Sequence, residues 1–212
     1  MKHYSVSEPV SFYTHFFGAI AAIAGVILLM NNNAGTAVKS GVVLIYGLSL
    51  IFLFSASSLY HACKKEENGA SVLRKLDHLA IFFLIAGTYT PLCYRFLDGG
   101  WMYGILIAQW SLVVLGTVFK LVWISAPRKY STAVYVLMGW LIIIPIHKIW
   151  AAVPLTGFVL ILGGGVAYTI GAVIYAKKKP DPIPDVFGFH EIFHLFILGG
   201  ALLHFLAIYF YV

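Results

Sequence analysis

Apolar residues run along the chain in long uninterrupted stretches, and short polar breaks separate them. The stretches fall at residues 12–30, 40–61, 76–96, 101–123, 131–150, 154–176 and 188–212. Each approaches the roughly 20 residues that a helix needs to cross the hydrocarbon core. None alternates with the period of two expected of a barrel strand. A continuous apolar helix also satisfies its own backbone, as a spanning segment must where there is no water. The breaks have turn chemistry: Asn31-Asn32-Asn33, then Asp98-Gly99-Gly100, then a charged, proline-bearing segment from Lys177 to Asp185. The pattern predicts an all-α protein, a single polytopic bundle of seven transmembrane helices over residues 1–212. No small-residue cleavage site follows Lys2, so the first stretch reads as a span and not as a removable leader.

Composition removes the alternatives. The 212 residues are 61% hydrophobic and 10% charged, against about 25% charged for a soluble domain. A water-soluble globular fold is excluded, and so is disorder, which needs low hydrophobicity. The net charge of +6 invites a nucleic-acid partner, but fourteen Lys and Arg scattered through an apolar chain build no basic face. No nucleic-acid partner is expected. The basic residues report topology instead. With seven spans, eleven of them share the side of the N-terminus and three, Lys39, Arg95 and Lys148, fall on the other. The positive-inside rule then puts the N-terminus in the cytoplasm and the C-terminus outside, the reverse of a G-protein-coupled receptor. Cys63 and Cys93 fall at opposite ends of their spans, since helix from Asp77 to Cys93 rises roughly 24 Å. A disulfide cannot bridge that distance, so both are expected as free thiols.

Ionisable side chains are costly inside a membrane and default to functional candidates. The same alternation carries His61, Asp77, His78, His190, Glu191 and His194 to one side, with Glu8 and His15 at the start of the first span. His147 lies at the other. His190 and His194 are i,i+4, about 40° apart around the axis. That spacing suits two imidazoles on one Zn2+, which takes a third protein ligand and keeps an open position where it catalyses. His61 is the third candidate. Ser57 is i,i+4 from His61, and Asp77 is placed to accept a hydrogen bond from a metal-bound water or to orient a ligand.

Plainer readings stand beside these. Ser57 would back-bond to its own helix, and Asp77 would cap the start of span three. Glu8 would be a helix-start carboxylate, and His15, His78 and His204 interhelical hydrogen-bond partners. His190-Glu191-Ile192-Phe193-His194 also fits the H-E-x-x-H zincin pattern, with Glu191 about 100° round the helix from His190 and free to flank the metal or point away. Gly87-Thr88-Tyr89-Thr90-Pro91 should kink span three, with the Thr hydroxyls bonding freed carbonyls. Trp101, Tyr103, Trp150 and Tyr211 read as interface anchors.

Taken in order, Ser57-x-x-x-His61, Leu76-Asp77-His78 and His190-x-x-x-His194 resemble the motifs of the progestin and adipoQ receptor family. Glu8-Pro9-Val10-Ser11 and the Gly87–Pro91 motif resemble its bacterial branch, the hemolysin III proteins. The resemblance covers essentially the whole chain. It implies a multi-pass protein of the bacterial plasma or inner membrane, with a zinc ion held by His61, His190 and His194. It implies Asp77 and Ser57 as catalytic residues acting on the zinc-bound water. Kinship with alkaline ceramidases implies hydrolysis of a lipid amide or ester, with membrane lipids as partners. The hemolysin name implies the alternative, a non-enzymatic regulator or cytolytic protein with a structural zinc. A pore is disfavoured because the spans carry too few polar residues on any continuous face. A proton-coupled transporter would rest on His204 alone.

Overall fold

A computed structural model describes residues 6–32, 36–64, 71–184 and 186–212. Its helices are α1 (Pro9–Asn32), α2 (Ala37–Cys63), α3 (Val72–Phe96), α4 (Gly99–Val122), α5 (Arg128–Gly139), α6 (Ile146–Ala152), α7 (Leu155–Lys177) and α8 (Phe189–Tyr211). Their starts follow local chemistry. Pro9 opens α1, where its missing N–H costs nothing. Thr36 Oγ1 accepts the amide of Lys39, and Ser71 Oγ accepts that of Arg74, each at 3.2 Å. Ser71 therefore caps α3, and Asp77 lies a full turn inside the helix rather than at its cap.

Among the described residues six helices are long and apolar enough to cross a membrane, or seven spans if the bent pair α5 and α6 counts as one. That pair meets at 56°, across a short 3₁₀ turn (Trp140–Ile143) that precedes Pro145. A proline removes one helical amide and crowds the preceding turn, so the fifth span breaks where the sequence pattern read one continuous helix. Neighbouring helices take up the released backbone groups. Tyr89 on α3 donates its hydroxyl to Gly139 O at 2.7 Å and accepts the amide of Ile142 at 2.7 Å. Gln109 on α4 donates to Met138 O at 2.8 Å. A break within an apolar environment persists only with such partners.

α3 itself runs through Pro91 as one helix, with Thr88 and Thr90 donating to Leu84 O (2.8 Å) and Ala86 O (2.9 Å). α1, α2 and α3 pack in succession, α5 leans on α3 and α7, α7 lies along α8, and α8 returns to α1. α4 packs on the outside of α3. This closed ring surrounds a cavity of about 170 Å³, while residues such as Phe17, Ile107, Leu115 and Phe210 face outward. Two helices approach especially closely beside the cavity: a Cβ on Gly164 of α7 would come within 2.3 Å of the His204 ring on α8. Cys63 is exposed, Cys93 is buried, and both are free thiols.

Candidate metal centre

The centre begins with a helix end. The last carbonyls of a helix lack intrahelical amides. At α2 two of them are taken by the segment entering α1, through Ser7 N to Ala62 O (3.4 Å) and Glu8 N to His61 O (3.2 Å). This pairing sets the Glu8 carboxylate against the His61 ring, with Oε2 at 2.5 Å from Nδ1, while Oε1 accepts from Lys64 Nζ at 2.6 Å. Partial burial pushes the Glu8 carboxyl up, but the hydrogen bonds and charges of His61 and Lys64 outweigh it and hold its pKa at about 2. Glu8 is thus a carboxylate at neutral pH, and it fixes the orientation of the imidazole.

α8 brings the other two imidazoles. Gly188 N donates to Glu191 Oε2 at 2.8 Å, and Ser11 Oγ donates to Glu191 Oε1 at 2.7 Å. Glu191 therefore caps its own helix and ties it to α1. Both its oxygens are engaged in that way, and the H-E-x-x-H pattern does not place it as a base. His190 and His194 stand one turn apart on the inward face, as their spacing predicts.

His61, His190 and His194 offer ligand nitrogens that all lie within 4.8 Å of one another. His61 Nε2 and His190 Nε2 are 3.3 Å apart. Two nitrogens at about 2.0–2.1 Å from one tetrahedral ion stand roughly 3.3 Å apart, so this pair fits zinc. His61 uses Nδ1 toward Glu8, which leaves Nε2 for the cluster, and His194 has Nδ1 at 3.3 Å from Thr14 Oγ1. Carboxylate and hydroxyl partners on the far nitrogen of a ligating histidine are the usual orienting arrangement. The three rings are buried or nearly so, and the cluster could hold a metal ion.

His15 adds a feature the sequence did not show. Its ring lies flat on that of His194, with centroids 3.7 Å apart and planes within 6°. Among the described residues neither of its nitrogens has a hydrogen-bond partner, so it is not the interhelical donor expected of it. A signal existed: Ser11, His15, Gly18, Ala22 and Gly25 recur at helical spacing and form the buried face of α1. Glu8 was legible by its depth and its place before Pro9 but not as the partner of His61, and Thr14 had no signal, because neither shares a spacing motif with the histidine it touches.

Ser57 and Asp77 line the same cavity as His190 and His194. Among the described residues neither is hydrogen-bonded to the three imidazoles, and Asp77 Oδ2 stands 3.7 Å from His78 Nδ1. His78 is occupied locally, donating to Arg74 O of its own helix at 2.8 Å. His204 lies apart from the cluster and donates to Ile161 O across the α7–α8 contact at 2.9 Å, the interhelical role expected of it.

An integral helical bundle with three converging imidazoles, two of them on the wall of an internal cavity, defines a class of membrane protein with a candidate metal centre. A model of the family described as "Haemolysin-III related" matches residues 3–205. The chain is 36% identical to Hemolysin-3 of Bacillus cereus over 214 residues, covering 100% of this chain and 94% of that protein. It is 36% identical to the Hemolysin-3 homolog of Bacillus subtilis (strain 168) over 200 residues, or 93% and 91% of the two chains. The human Monocyte to macrophage differentiation factor is 26% identical over 208 residues, or 94% and 82%. The chain belongs to the haemolysin-III-related family, with distant kin in the progestin and adipoQ receptor family. It is a multi-span protein of the cell membrane, as the resemblance read from its sequence implied.

Proposed function

We propose that this protein is a zinc-dependent intramembrane hydrolase of lipid amide or ester bonds, with its N-terminus in the cytoplasm. The observation that carries the reading is the convergence of three imidazoles, two of which, His190 and His194, line a cavity together with Ser57, Asp77 and a long apolar wall. His61, His190 and His194 would hold the ion. Imidazole donors suit zinc, and three protein ligands leave the open position of a catalytic site. A zinc ion held there would supply Lewis acidity to polarise a carbonyl and would bring water deprotonation near neutral pH.

The remaining work falls to the chain. Glu8 and Thr14 hold the rings of His61 and His194 in register. Asp77, on the cavity wall, takes the proton of the attacking water on a carboxylate oxygen and delivers it to the leaving amine or alkoxide. Ser57, on the same wall, hydrogen-bonds and orients that attacking water. Leu53, Ile81, Leu84, Ile85 and Ile197 exclude water and seat the acyl chain.

Purified protein should carry close to one zinc per chain and cleave a lipid amide, and His194→Ala should lose both. Asp77→Asn should keep the metal and lose turnover. Zinc bound by a closed set of four protein ligands, with no turnover on any lipid amide or ester, sinks the hydrolase and leaves a structural metal in a regulator or cytolysin.

A further inference from the structure

The cavity has a second polar region that the proposed hydrolysis does not use. Arg74, Lys120 and Arg128 line that region, and Asp77, used in the hydrolysis, is the one carboxylate among the described residues lining the whole cavity. Lys120 sits at the end of α4 and is 1% exposed. Among the described residues its Nζ reaches the neutral Ser131 Oγ, at 2.5 Å, and lies over the Phe119 ring, 5.6 Å from its centroid. Among the described residues no carboxylate comes within ion-pair distance of it. An ammonium taken out of water without a counter-charge is costly, and such groups are kept where they meet an anion. Arg74, in the first turn of α3, has a buried Nη1 with no hydrogen-bond partner among the described residues. The Arg128 guanidinium lies over Tyr175 at 4.8 Å and Phe189 at 5.4 Å, which fixes its position beside the cavity.

These side chains come from the end of α4 and the starts of α3 and α5. Alternating helices place those ends at the same end of the bundle as His61 and His190. From there the wall is apolar along Ile81, Ile85, Val136 and Ile197 toward Tyr168 and His204. A charged end joined to an apolar length is the shape of a single-chain amphiphile. A phosphate, at about −1.5 to −2 at neutral pH, matches a pair of cations, and a guanidinium adds directional donors to its oxygens.

We propose that Arg74 and Lys120 form an anion subsite that receives the phosphate head of a single-chain lipid whose tail lies along the apolar wall. The proposal rests on a lipid entering this cavity, as the hydrolase reading also requires, but not on metal binding or on turnover.

Calorimetry on the full-length protein in a neutral maltoside detergent tests it with dodecyl phosphate, dodecanol and inorganic phosphate as probes. Dodecyl phosphate should bind at least tenfold more tightly than either of the others. Lys120→Met, which keeps volume and removes the charge, and Arg74→Gln should each weaken it at least tenfold without altering metal content. His190→Ala should leave it unchanged. Equal affinity for dodecyl phosphate and dodecanol, or full affinity in both basic-residue variants, overturns the subsite. Inorganic phosphate binding as tightly as the alkyl ester overturns the lipid part and assigns the site to free phosphate. Binding lost in His190→Ala but kept in Lys120→Met overturns it in favour of the metal. Loss at Lys120→Met in a protein that hydrolyses no lipid upholds the subsite while the hydrolase reading fails.

Discussion

Glu8 and Glu191 are both acidic residues near the imidazole cluster, yet they do different work. Glu8 holds the edge of the His61 ring that faces away from the other histidines, and it remains charged because Lys64 and His61 share its oxygens. Partners of that kind set ligand orientation and basicity. Glu8→Gln should therefore lower metal affinity roughly 10–100-fold while leaving the three ligands in place. Competition with a chelator of known affinity reads this directly, and wild-type affinity would reduce Glu8 to a partner of Lys64. Glu191 spends its oxygens on Ser11 and the Gly188 amide. Glu191→Ala should keep the metal and lose stability by about 1–3 kcal/mol, the cost of stranding hydrogen-bonded groups at a charged acceptor. Unfolding in mixed micelles measures that loss. If the variant is instead fully stable but loses turnover, the residue is a base after all.

The elements show where sequence reasoning reaches and where it stops. Spans were legible because continuous apolarity over about 20 residues has few other meanings. The break in the fifth was not, because an average over the stretch registers length and apolarity but not continuity. Pro145 was the available sign, and Tyr89, 50 residues from Gly139 and 53 from Ile142, is what makes the break tolerable. Tyr89→Phe leaves an amide and a carbonyl unpaired between helices. It should cost about 1–3 kcal/mol in the same unfolding measurement; no change would mean that water replaces the hydroxyl. The site divides in the same way. His190 and His194 announced themselves through i,i+4 spacing, and His61 through its depth. Glu8 and His15 were legible by depth, but the partners that Glu8, Thr14 and His15 meet lie on distant segments, and which segments meet leaves no periodic trace. Asp77 was legible as an ionisable residue at the right depth, but its plain reading as a cap fails because Ser71 starts the helix earlier.

At the scale of the molecule, the distribution of Lys and Arg predicts which way the bundle faces, and the chain carries its own probe. Cys63 is exposed at the histidine end of α2, and Cys93 is buried. A membrane-impermeant maleimide should leave Cys63 unmodified in intact cells and label it once the cytoplasmic face is opened. Labelling from outside would reverse the orientation and move the candidate centre to the outer leaflet.

The centre also joins segments made at opposite ends of synthesis. Ser11 meets Glu191 and Thr14 meets His194, each across 180 residues, and His61 meets His190 across 129. A ribosome delivers α1 and α2 to the membrane long before α8 exists. Until the last span arrives, the cluster has one of its three imidazoles, Ser11 lacks its acceptor, and the inward face of α1 lacks the part of its cover that α8 supplies. Under the proposed function, metal capture would therefore record completed insertion: a chain that stops short of its final helix lacks two of the three imidazoles.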